Sequence, residues 1–158
     1  IMPSLVGSEM CIRDRGWGQQ EAKTKDANIF YVKSVPHDWL FPHMAGAVHH
    51  GGAGTTATSL RHALPTLVVP FGGDQPFWAE RVYAAGCGPK AIPRDKLTAE
   101  NLAEGLRALI SNPEYTRNAA CIGEALRNEH GCANAADLIE KAVWDWENGN
   151  PAQDGMNI

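Results

Sequence analysis

The sequence predicts an α/β fold, a parallel sheet flanked by helices, on three observations. Short β-rich runs alternate with helical patterns between residues 28 and 85. Strand, helix, strand, helix, strand implies parallel pairing with helices on the sheet faces. The runs "IFYV" and "LVV" are continuous rather than alternating, as in strands covered on both faces. Finally, the second and third strands each stop in a glycine-containing loop that opens a helix. Ligands of open parallel sheets bind beyond such carboxyl ends.

Bulk properties narrow the class. The 158 residues suffice for one core of ordinary size. A formal net charge of −4 leaves no basic footprint, so no nucleic-acid partner is expected. No apolar run approaches the roughly 20 residues that cross a bilayer. Cys11, Cys87, Cys121 and Cys132 are widely spaced and form no CxxC pair. Buried free thiols in a reducing compartment are expected, rather than a zinc site or a disulfide framework.

The elements follow in order. The chain opens at Ile1, not Met, and is read as a piece of a longer reading frame. Residues 1–15, "IMPSLVGSEMCIRDR", have neither a strand nor a helix period and lack a signal-peptide core. They resemble a translated sequencing-adapter stretch and are set apart as a non-native leader, the alternative being a genuine helix end or loop. Residues 28–35 read as a strand, and "PHDWLFPHM", bracketed by Pro36 and Pro42, has room for a turn or two of helix. "GAVHH" is a second strand. Residues 55–64 read as a helix with Ala57, Leu60 and Leu64 on one side and Thr55 or Gly54 at its cap.

"PTLVVP" is a third strand, residues 75–85 a helix with Pro76 in its first turn, and "GPKAIP" a short edge strand. In the helical remainder, Leu102, Leu106, Leu109 and Ile110 line one face. Ala135, Leu138, Ile139, Ala142, Val143 and Trp146 line another at core spacing. That last helix has no Lys/Arg-rich face for a membrane surface and is expected to pack in the core. The domain is placed at 16–147, with a polar tail at 148–158.

Two loops carry the chemistry. In "AVHHGGAGTT" the glycines leave backbone amides bare, and the helix start adds unpaired N–H groups and partial positive charge. That combination suits a phosphate, though without GK[ST] or GxGxxG a plain tight turn remains the other reading. Successive strand side chains face opposite ways, so one histidine faces the ligand. His50, beside the glycines, is assigned to it, and His49 to packing or a hydrogen bond on the other side. A metal is not expected, because neighbours on a strand diverge while a metal needs convergent ligands. In "VVPFGGDQPFWAERV", Asp74 and Gln75 offer acceptors and donors at adjacent points, the pattern that vicinal sugar hydroxyls match. The alternative is Asp74 as an N-cap with Gln75 in solvent. Trp39 and Trp78 are expected in the core, or else at a cleft wall.

The stretches "VPHDWLFPHMAGAVHHGGAGTT" and "PTLVVPFGGDQPFWAERVYAAGCGP" resemble the C-terminal, nucleotide-sugar-binding half of sterol 3-beta-glucosyltransferases. These are UDP-glycosyltransferases of the GT-B superfamily. The likeness runs from Gly16, where "GWG" also suits the family, through Pro93, with continuation toward Trp146. It implies a Rossmann-like C-terminal domain and an inverting transfer of glucose from UDP-glucose to a sterol or similar lipid hydroxyl. It implies that His50, Gly52, Gly54 and Thr55 hold the donor diphosphate and that Asp74 and Gln75 hold the sugar, with Val35 near the uracil. Related plant enzymes carry a ribose-binding Glu where this chain has Thr58, which weakens the expectation of strict UDP preference.

The resemblance further implies a catalytic base in an N-terminal acceptor domain, so no catalytic residue is assigned within this chain. The expected partners are the UDP-sugar, a lipid or small-molecule acceptor and that domain, with no cofactor and no metal. The implied location is cytoplasmic, or peripheral at membranes in the full-length protein. A non-catalytic nucleotide-sugar-binding module and a metal-dependent hydrolase are the rival readings.

Overall fold

The structure, a computed structural model, describes residues 11–14, 29–32 and 35–149. Contacts divide the chain into two units, Ile1–Arg127 and Asn128–Ile158.

Among the described residues the first unit holds two parallel strand pairs rather than one continuous sheet. β1 (Cys11–Asp14) pairs with β2 (Ile29–Val32), Cys11 opposite Ile29 and Asp14 opposite Val32. No strand is expected from the pattern of residues 1–15, yet β1 lies there. β3 (Ala47–His49) pairs with β4 (Thr66–Val68), Ala47 opposite Thr66 and His49 opposite Val68. Parallel pairing is the geometry that the alternation of strands and helices predicts.

Between β2 and β3 lie α1 (His37–Leu40) and a 3-10 turn over Phe41–His43. This is the short helical stretch that Pro36 and Pro42 allow. α2 (Ala53–Arg61) joins β3 to β4, and α3 (Gln75–Ala84), with Pro76 in its first turn, follows β4. α2 begins two residues earlier than expected. Gly52 is its N-cap with no side-chain cap, so neither Gly54 nor Thr55 fills that position.

The expected strand at "GPKAIP" is not one. The Ile92 amide donates to the Val68 carbonyl at 3.0 Å and the Arg94 amide to Pro70 at 3.1 Å. However, Pro89 and Pro93 have no N–H to extend a ladder. Val69 donates to His49 from the opposite edge. β4 therefore runs between β3 on one side and residues 92–94 on the other.

β4 is buried along its whole length, Leu67 and Val68 by their apolar side chains and Thr66 with its hydroxyl hydrogen-bonded. Val68, Ala79, Val82, Cys87 and Ala119 form one core cluster; Leu40, Phe41 and Leu64 form another, against which Val35 and Ala47 pack. α4 (Ala99–Ser111) opens with a capping box between Thr98 and Asn101 and buries Leu109. Ile110, expected on the same buried face, is 67% exposed. α5 (Pro113–Asn128) contributes Ala119 and Ile122 to the first cluster.

The second unit is dominated by α6 (Gly131–Glu147). Leu138, Ile139, Val143 and Trp146 have the predicted helical spacing but are exposed, Trp146 at 82%. The expectation that this helix packs in the core is therefore not met. Its spacing defines an apolar face without supplying anything to cover it.

Candidate functional site

The two loops predicted to carry the chemistry lie side by side at the carboxyl ends of β3 and β4. Their junction is Gly51, whose φ of +89° favours glycine. A Cβ there would lie 2.5 Å from Val68 Cγ1 and 3.2 Å from the Gln75 carbonyl oxygen. The first loop is thus pressed against the start of α3.

His49, the last residue of β3, is half-buried, and His50, just beyond the strand, is exposed. His49 points inward: the Gly51 amide donates to its Nδ1 at 3.0 Å, and its Nε2 lies 3.3 Å from Ser59 Oγ. Since Nδ1 accepts, the proton of the neutral ring sits on Nε2 and is donated to the serine. Burial, then the nearby His50 and His37, lower its pKa to about 4, so the ring is neutral at pH 7. Ser59 Oγ donates to the Thr56 carbonyl and lies 3.2 Å from Thr66 Oγ1. This buried polar chain ties strand, glycine loop and helix together.

His50 is exposed, and its ring meets that of His49 edge-on with the centroids 6.3 Å apart. A Cβ on Gly52 would lie 2.5 Å from His50 Nε2, so the imidazole lies over the N-cap of α2 only because residue 52 is glycine. The first intrahelical bond runs from Thr56 N–H to Gly52 O. The amides of Ala53, Gly54 and Thr55 precede it and have no acceptor within the helix. Nothing would lie within 4 Å of a Cβ at Gly54, so the helix start is open to a ligand. An imidazole edge, bare amides and the positive helix end together make a place for an anion.

The hydroxyls behave differently. Thr55 is half-buried, while Thr56 Oγ1 is buried without a hydrogen-bond partner. Thr58 Oγ1 donates back to Gly54 O at 2.8 Å, the common internal use of a helical threonine. Val35, the candidate near the uracil, packs against the second core cluster.

In the second loop Asp74 occupies the N-cap position but makes no cap hydrogen bond. Its Oδ2 instead accepts from Trp78 Nε1 at 2.8 Å. Gln75 Oε1 accepts from the Phe71 amide at 2.7 Å and the Gly72 amide at 3.3 Å. Gln75 therefore braces its own loop instead of standing free in solvent. Trp78 is half-buried and Trp39 is 46% exposed, so Trp39 is not the core residue expected.

Sequence reasoning missed Ser59, Thr66 and the Trp78 partner of Asp74. Thr56 and Ser59, three apart on the buried side of α2, were the available signal for a polar chain beneath the loop. Among the described residues no group of three or more His, Cys, Asp or Glu could hold a metal, and no helix is long and apolar enough to cross a membrane.

Residues 7–140 match the model of the erythromycin biosynthesis protein CIII-like C-terminal domain. The chain belongs to this family. Similar curated proteins are sterol 3-beta-glucosyltransferases. One from Arabidopsis thaliana is 46% identical over 144 residues, covering 89% of this chain and 23% of that protein. One from Pichia angusta is 40% identical over 141 residues, covering 85% and 11%.

Among solved structures, the glycosyltransferase of kitacinnamycin has a TM-score of 0.72 at 26% identity and covers 84% of this chain and 34% of its own. The glycosyltransferase VinC, in complex with DTDP, has a TM-score of 0.61 at 33% identity, covering 65% and 26%. The fold of this CIII-like domain is accordingly that of a GT-B C-terminal domain, as the resemblance implied. The chain spans about a quarter of the plant relative and about a tenth of the fungal one.

Proposed function

We propose that this domain binds the donor of a glucosyltransferase that moves glucose from UDP-glucose to a sterol or similar lipid hydroxyl with inversion. The observation that carries the reading is the His50 ring over the open, glycine-capped start of α2. The diphosphate lies against the amides of residues 52–55, with His50 donating an N–H to one of its oxygens. Asp74 and Gln75 reach the glucose. To do so, Gln75 offers its unengaged NH2 group and Asp74 its second carboxylate oxygen. Val35 and Thr58 lie towards the uracil and ribose.

Transfer breaks the bond between the anomeric carbon and the diphosphate oxygen while the acceptor oxygen bonds to the opposite face of that carbon. Charge grows on the departing diphosphate, where His50 and the helix start stabilise it without rearrangement. The acceptor's proton goes to a base outside this domain, in an N-terminal acceptor domain.

The test is calorimetric titration with UDP, followed by an assay with UDP-glucose and a sterol. The assay is run on the chain alone and then with a homologous N-terminal half. Binding without turnover alone, and turnover on addition of the second half, is expected, because general-base help is worth roughly 10²–10⁴-fold and the acceptor must also be positioned. Turnover by the chain alone overturns the division of labour. Absence of UDP binding in a folded sample overturns the donor-site reading.

A further inference from the structure

Beyond β4, on the edge opposite β3, lies an open pocket of about 320 Å³ lined by Pro70, Phe71, Arg94 and Asp95. Its volume is at the small end of the usual range for ligand sites, roughly 300–1,000 Å³. The main chain fixes both walls: Arg94 donates its amide to Pro70, and the Phe71 amide is held by Gln75 Oε1. The pocket is therefore continuous with the loop that carries Asp74 and Gln75.

Its chemistry is mixed. Phe71 is 62% exposed, and the Arg94 guanidinium lies 4.9 Å from the ring centroid. Stacking occupies the face of a guanidinium and leaves the N–H donors in its plane free. Among the described residues neither the Arg94 guanidinium nor the Asp95 carboxylate has a hydrogen bond or an ion pair. The pocket thus offers an aromatic surface, unspent donors and unspent acceptors, with a net charge near zero. A phosphate would meet the Asp95 carboxylate. A neutral ring with hydroxyls around its edge and C–H groups on its face matches all three features.

We infer that this pocket is a pyranose subsite, in which Arg94 and Asp95 hold hydroxyls of the donor sugar on the side away from His50. The inference rests on the proposed donor site and extends it by two specificity-determining residues. Candidate ligand groups then follow the strand order, the diphosphate beyond β3, the sugar beyond β4 and its far hydroxyls beside residues 94 and 95.

Calorimetry on the chain with UDP and with UDP-glucose tests it, using Arg94→Ala and Asp95→Asn, both exposed changes. Each should lower affinity for UDP-glucose by about tenfold, the usual scale for a lost hydrogen bond to a charged group, and leave UDP affinity within about twofold. Equal loss for both ligands would mean that the residues read phosphate charge, and overturns the inference. Unchanged affinity for both overturns it while leaving the donor site intact. If the folded wild-type chain binds neither ligand, the donor-site reading falls and the subsite falls with it.

Discussion

The two strand-to-helix loops are built in opposite ways. The β3–α2 loop is set from beneath: His49, Ser59 and Thr66 are consumed in a buried polar chain, and the exposed His50 ring, edge-on to His49, lies above the helix start. The β4–α3 loop is set from above: the exposed Asp74 and half-buried Gln75 engage Trp78 and the loop amides. On the proposed reading, a ligand meets a preorganised site at the first loop. At the second it must share or exchange internal hydrogen bonds. The first should therefore govern affinity and stability, the second discrimination.

The largest effect should come from removing the conformational basis of the first loop. Gly51→Ala combines a positive φ, which costs about 1–3 kcal/mol for other residues, with a clash against Val68. Denaturant unfolding should show a loss above about 3 kcal/mol. Gly54→Ala, where an added methyl meets nothing, should be neutral or stabilise by up to about 1 kcal/mol. Similar losses at both positions would mean that the loop is not held from beneath.

The buried histidine gives the next effect. His49 has a pKa of about 4 in the fold against 6.5 when unperturbed. Between these values the unfolded chain binds more protons, so stability is complete above pH 6.5 and falls as pH drops towards 4. The loss attributable to this ring is roughly 3 kcal/mol. His49→Asn should be less stable at pH 7 but should lose much less on acidification. A parallel pH profile for variant and wild type would remove His49 from the supporting chain.

His50→Ala should weaken UDP binding by about 1.5–3 kcal/mol, the scale of a hydrogen bond to a charged group, with little change in stability. Calorimetry on the His49 and His50 variants separates the two roles, and equal losses of UDP affinity would contradict the division by strand face. The smallest effect should come from Asp74→Ala with Gln75→Ala. UDP affinity should stay within about twofold while preference for the glucose-bearing form disappears. A large fall for UDP alone would mean that the second loop also sets the first.

Much of this architecture is legible in the residues. The run "TLVV" marks the buried strand, and paired histidines on a strand announce that one faces in and one out. Other features have no such signature. A glycine N-cap has no side chain to advertise it, so α2 starts earlier than a cap at Gly54 or Thr55 would place it. "GPKAIP" has strand composition, but its prolines lack the amides a ladder needs. The spacing of Leu138, Ile139, Val143 and Trp146 marks an apolar face, and periodicity carries no information about what covers a face. Asp74 was legible as a helix-start residue, but its bond to Trp78 depends on rotamers that one-dimensional spacing does not specify.

The contact at Gly51 has a geometric consequence. An α-carbon wedged between Val68 and the main chain of Gln75, with its amide fastened to His49, leaves no slack between the loops. The main-chain spacing between the two loops is set at this point, and a molecule that reaches both must match it to within the swing of the exposed His50 side chain.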